Sequence, residues 1–99
     1  MPTETPTLAD QAAHLDSIGH HWSGLIAHDF FAAATALRSV DAAVAGREPA
    51  AVDAPALYRL ADVFTVRIRG GFDGPALEDL RTGRRYLEQA GNTLIHSGI

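Results

Sequence analysis

The chain has no cysteine and no lysine among its 99 residues. Without cysteine there are no disulfides, no thiol nucleophile and no cysteine-type zinc site. Without lysine, all eight basic charges fall on arginine. That usage points to a GC-rich, bacterial-type coding sequence and says nothing about activity. Positive charge is scarce too, because twelve acids leave a net charge of −4. Nucleic acid is therefore disfavoured as a partner, since neutralising phosphates needs a basic surface. No apolar run approaches the roughly 18 residues of a membrane span. The opening MPTETPT lacks the basic and apolar layout of a secretory signal. These absences give the expectation of a cytoplasmic protein, with export lacking a classical signal peptide as the alternative.

Alanine and periodicity fill the space. Hydrophobic residues make up 46% of the chain, enough for one modest core. Eighteen residues are alanine, the best helix former. The spacing predicts an all-α domain over 8–99 behind a flexible tail at 1–7, built as a small bundle of four helices at about 8–22, 24–45, 54–69 and 75–96. Thr7-Leu-Ala-Asp10 has the outline of a capping box. Leu8, Leu15, Ile18, Trp22 and Leu25 form one helical seam. Ile26, Phe30, Ala33, Leu37, Val40 and Val44 form a second. The register slips between them at Ser23-Gly24, where Ser can cap and Gly can bend. Fusion of the two helices would give a rod of about 57 Å, too long for a 99-residue domain to cover. Gly46 ends the second helix. Two near-identical openings, Asp53-Ala-Pro-Ala-Leu and Asp73-Gly-Pro-Ala-Leu, read as an Asp cap followed by Pro in the first turn. The last helix is expected to bury Leu77, Leu80, Leu87, Leu94 and Ile95, with Gly83 and Ala90 allowing close approach. Residues 64–69 alternate like a strand, but no second strand exists to pair with them, so helix is favoured.

Four of the five histidines lie between His14 and His28. His14, His21 and His28 recur every seven residues. On one helix they stand about 10.5 Å apart, whereas a metal needs ligands at about 2 Å. Asp10–His14 and Asp16–His20, at i and i+4, suit a chelate or a hydrogen bond. No H-E-x-x-H or Glu-x-x-His spacing occurs. No metal site, cofactor or catalytic residue is assigned. The histidines are expected at the rim of the helix, and His14, His21, Trp22, Phe30 and Phe31 are the candidate interface residues. Acid sensitivity would follow if that rim borders a partner.

Arg69-Gly-Gly-Phe-Asp-Gly-Pro75 reads as a pair of helix caps and not as a phosphate loop, because it lacks the P-loop Lys and Asp73 repels an anion. Arg81, Arg84 and Arg85 form a candidate contact for an anion or acidic partner, largely offset by Glu78 and Glu88. Charge is uneven along the chain. Residues 1–57 hold two Arg against seven acids, and residues 58–99 hold six Arg against five.

Trp22-Ser23-Gly24 and Tyr58-Arg59-Leu60-Ala61-Asp62 resemble two short motifs of the small Trp-x-Gly helical-hairpin proteins of type VII secretion. The resemblance implies a helical, exported protein or its partner, with Tyr58 and Asp62 as the export signal. In that family the Trp-x-Gly turn lies near mid-chain and the tyrosine motif near the C-terminus. Here the first helix spans about fifteen residues, and 37 residues follow Asp62. The residues themselves point first to a non-enzymatic helical interaction or assembly module, forming a homo-oligomer or binding another helical protein. The reason is an apolar content, including Phe30-Phe31 and a two-sided third helix, that exceeds what four short helices can bury. A type VII substrate or partner is the alternative. A small-molecule-binding bundle, with a cavity near Trp22, Phe30 and Phe64, is the third.

Overall fold

The capping box at the first helix forms as its sequence suggests. The Asp10 amide donates to Thr7 Oγ1 at 3.1 Å, and the Thr7 amide donates to Asp10 Oδ2 at 3.3 Å. The structure, a computed structural model, describes residues 7–97. The tail expected over 1–7 lies, Thr7 apart, outside the described residues. Four helices follow in order: α1 (Leu8–Gly19), α2 (Gly24–Val44), α3 (Ala54–Ile68) and α4 (Gly74–Ser97). The protein is all-α, and residues 64–68 belong to α3, so the alternating stretch is helical.

The break between α1 and α2 is complete. After Gly19 the chain tightens into i→i−3 bonds, His21 to Ile18 and Trp22 to Gly19, at 2.9 and 3.2 Å. Gly24 then takes φ +66°, which only glycine adopts freely. Helix α1 thus ends at Gly19, three residues before the expected 22. Ser23 occupies the N-cap position of α2, but its hydroxyl makes no cap bond. The far end of α2 closes as a Schellman motif. Gly46, at φ +73°, donates to Ala43 O, and Arg47 donates to Ala42 O. Asp53 caps α3 by accepting from the Ala56 amide at 2.8 Å, with Pro55 in the first turn. The loop before it is tied to α2 by the Ala51 amide, which donates to Ser39 Oγ.

The helices pair as two hairpins, α1 with α2 and α3 with α4, and the hairpins meet chiefly where α2 touches α4 and α3. The molecule measures 38 × 36 × 20 Å. Its thickness is that of two helix layers. Its second dimension matches the roughly 36 Å length of a 24-residue helix, so the hairpins are not stacked as four aligned rods. Their joint is a small aromatic centre. Phe30 of α2 and Phe64 of α3 are fully buried with ring centroids 5.0 Å apart. Both rings lie against Gly83 of α4, where an added Cβ would come within 3.0 Å of Phe64 and 3.3 Å of Phe30. Leu80, Leu87, Ala90 and Leu94 continue that face of α4.

Three residues expected in the core are exposed. Leu25 is 71% exposed, because the turn at Gly24 places it about 140° around α2 from Phe30. Ile95 is 59% exposed, since one step past Leu94 rotates it about 100° out of the buried stripe. Val44 ends α2 and is also exposed. Leu77 is half-buried.

Candidate functional site

The histidine row does not survive the turn. His14 stands on α1, His21 in the turn and His28 on α2. His14 Nδ1 and the Tyr86 hydroxyl of α4 lie 3.0 Å apart, a hydrogen bond whose direction follows the imidazole tautomer. Beside it, Gln11 Nε2 donates to Gln89 Oε1 at 3.3 Å, a second polar tie between α1 and α4. His21 Nδ1 donates to the Ser17 carbonyl at 2.8 Å and so closes its own turn. His20 rests against the Phe31 ring, centroids 5.2 Å apart. Neither aspartate–histidine pair forms, because each aspartate has a better partner. Asp10 closes the α1 cap and Asp16 pairs with Arg38. Among the described residues no group of three His, Asp or Glu converges to hold a metal.

The candidate interface aromatics are drawn into the single chain. Phe30 is fully buried and belongs to the joint, so it cannot meet a partner. Phe31 is half-buried against Gly19, whose missing side chain leaves room for the ring, since a Cβ there would stand 2.7 Å from Phe31 Cε1. Trp22 crosses from the turn to α4, where its indole Nε1 donates to Asp79 Oδ2 at 3.2 Å. Its ring meets Phe30 at 5.9 Å and Phe72 edge-on at 5.3 Å. Phe72 comes from the Gly-rich loop, whose glycines Gly71 and Gly74 take positive φ to turn the chain into α4. Trp22, Phe30 and Phe64, the residues expected around a ligand space, pack ring against ring.

The arginine cluster is engaged along its own helix. Arg81 donates to Glu78 at 3.0 Å, Arg84 stands 3.8 Å from Glu88, and Arg85 lies over the Tyr86 ring at 5.6 Å. Trp22-Ser23-Gly24 occupies the turn joining α1 and α2. Tyr58 is bound to α4. Its hydroxyl donates to Asn92 Oδ1 at 2.6 Å, and its ring covers Gly91, where a Cβ would lie 2.9 Å from the ring carbons. Asp62, one turn on, is exposed.

One feature escaped the sequence, and another, the two-sided third helix, takes its definite form only in the structure. An open cleft of about 390 Å³ lies between the start of α1 and the end of α2, lined by Ala9, Arg38, Asp41, Ala42, Arg47 and Glu48. Its two arginines are both paired, Arg38 with Asp16 and Arg47 with Asp41 at 2.8 Å. The second feature is the outward face of α3. Leu57, Ala61 and Phe64 point into the core, while Val66, 64% exposed, stands opposite them. Alternation over 64–69 was the sequence signal, which reads equally as a strand or as a helix with apolar residues on both sides. Comparison with protein families, characterised proteins and solved structures finds no match for this chain.

Proposed function

We propose that this chain is a non-enzymatic helical interaction module that self-associates. One observation carries the reading. Helix α3 keeps a large apolar side chain, Val66, 64% exposed on its outward face near the C-terminal end, next to a half-buried Val63. The other side of the same helix is fully used by the core. A solvated helix face is ordinarily dominated by charged and polar residues, and an apolar residue rimmed by charge suits a protein contact. Among the described residues no helix is long and apolar enough to cross a membrane, so a membrane-spanning helix does not account for that face.

Sedimentation equilibrium over a wide concentration range tests the reading. The mass is expected to rise from 10.5 kDa towards twice that value. A constant 10.5 kDa up to millimolar concentration removes self-association.

A further inference from the structure

We infer that two copies of this chain pair antiparallel through the outward face of α3, with Asp62 of each copy against Arg69 of the other. The inference rests on the self-association reading and supplies its surface and register. At about 100° per residue, Arg59, Asp62, Val63 and Arg69 all fall within about 60° of Val66. They form one stripe on the side of α3 turned away from the core, and Arg59, Asp62, Val66 and Arg69 are each exposed.

The distribution of ion pairs singles this stripe out. Five of the eight arginines are already paired with a carboxylate of the same chain. Arg85 lies over the Tyr86 ring. The remaining two, Arg59 and Arg69, both sit on the outward face of α3, and neither pairs with a described residue. Asp62, like Glu48 and Asp73, has no ion pair among the described residues, and of these three only Asp62 lies on a helix with both unpaired arginines.

Order along the axis sets the geometry. Asp62 precedes Val66 by about 6 Å and Arg69 follows it by about 4.5 Å. A stripe that runs negative, apolar, positive repels itself in parallel, because Asp meets Asp and Arg meets Arg. Turned antiparallel about a twofold at the level of Thr65–Val66, it brings Asp62 to Arg69 twice and Val66 beside its symmetry mate. Such a contact is isologous and closed, so it stops at the dimer and does not propagate into a fibre. It spans about three helical turns, less than the about 1,200 Å² of a standard interface, so the association is weak and concentration-dependent.

Charge reversal tests the register. Sedimentation equilibrium at low ionic strength compares wild type, Asp62→Arg, Arg69→Asp and the double reversal. Each single reversal makes both symmetry-related pairs like-charged and is expected to weaken the dimer about tenfold. The double reversal is expected to return to near wild-type affinity. Mixing the two single variants is expected to restore a dimer, because positions 62 and 69 are then both cationic in one copy and both anionic in the other. Asp62→Asn and Arg69→Gln, each expected to weaken the dimer less than the reversal, serve if circular dichroism shows that a reversal has not folded. A wild-type dimer indifferent to these changes, or a mixture that stays monomeric, overturns the register and leaves self-association standing. A wild type monomeric at millimolar concentration overturns both.

Discussion

Gly24 is the residue on which the first hairpin turns, and its requirement is conformational. Nothing lies within 4 Å of the position a Cβ would take, so alanine meets no steric obstacle from neighbours. The obstacle is φ +66°, which costs an L-residue about 1–2 kcal/mol. Gly24→Ala is therefore expected to lower the melting temperature by about 4–8 °C per kcal/mol, as for other domains of this size. Gly24→Asn should lose less, because asparagine tolerates the left-handed region better. A gain for alanine would show that α1 and α2 run on as one helix in solution. Gly91 is required for the opposite reason. It lies on a regular helix, and what a side chain there would meet is the Tyr58 ring, 2.9 Å away.

That contrast makes the α3–α4 hairpin separable by a thermodynamic cycle at the level of elements. In the wild type, Gly91→Ala trades the helix preference for alanine, about 1 kcal/mol, against displacement of the tyrosine ring and its bond to Asn92. With Tyr58→Ala already in place, the obstacle is gone and only the preference remains. Gly91→Ala is expected to destabilise the wild type and to stabilise the Tyr58→Ala background by up to about 1 kcal/mol. Denaturant melts of the four proteins measure the coupling. Additive effects would mean that Tyr58 does not hold α3 to α4. The helices themselves were legible in the sequence. Thr7, Asp53 and Gly46 act through bonds within one or two turns, and local chemistry is sufficient to place them. Asp73, expected to cap α4 as Asp53 caps α3, makes no side-chain cap bond among the described residues, and α4 opens instead on Gly74 at φ +59°. Leu25 and Ile95 were misjudged because a seam extrapolated along the chain assumes one unbroken axis, whereas a turn or a single 100° step moves a residue to the other side.

For the whole molecule, the hairpins depend on a narrow joint. Phe30, Phe64 and Gly83 come from three helices, with Trp22 against Phe72 and Asp79, His14 against Tyr86 and Arg67 against Asp29 adding to the contact between the hairpins. Phe64→Ala should cost about 3–5 kcal/mol, a large part of the 5–15 kcal/mol that holds a domain of this size. Leu94→Ala, at the end of α4, should fall nearer the lower figures for a leucine, about 2–3 kcal/mol. If urea melts give the two variants the same loss, the joint is not the weak point of the fold. The plate-like outline has a second effect: it leaves both broad faces open, and the outward side of α3 lies on the molecular surface with Val66 uncovered.

Fold class, helix number and the absence of cysteine chemistry follow from residue types and from spacings of three and four, which need no knowledge of what lies across the chain. The fate of the candidate site residues does not follow from them. Phe30 and Phe31 are adjacent in sequence, yet one fills the three-helix joint and the other covers Gly19. Tyr58 matches a short motif, yet its hydroxyl and ring are bound to Asn92 and Gly91, 34 and 33 positions away. Trp22 turns toward Asp79, 57 residues on, and the histidine row is dispersed between two helices and a turn. Each outcome depends on contacts between residues far apart in the chain, which the helix period along one segment does not encode. The uncovered face of α3 belongs to the same class, since only the packing of the other three helices shows which side of a two-sided helix is left for solvent or for a second copy.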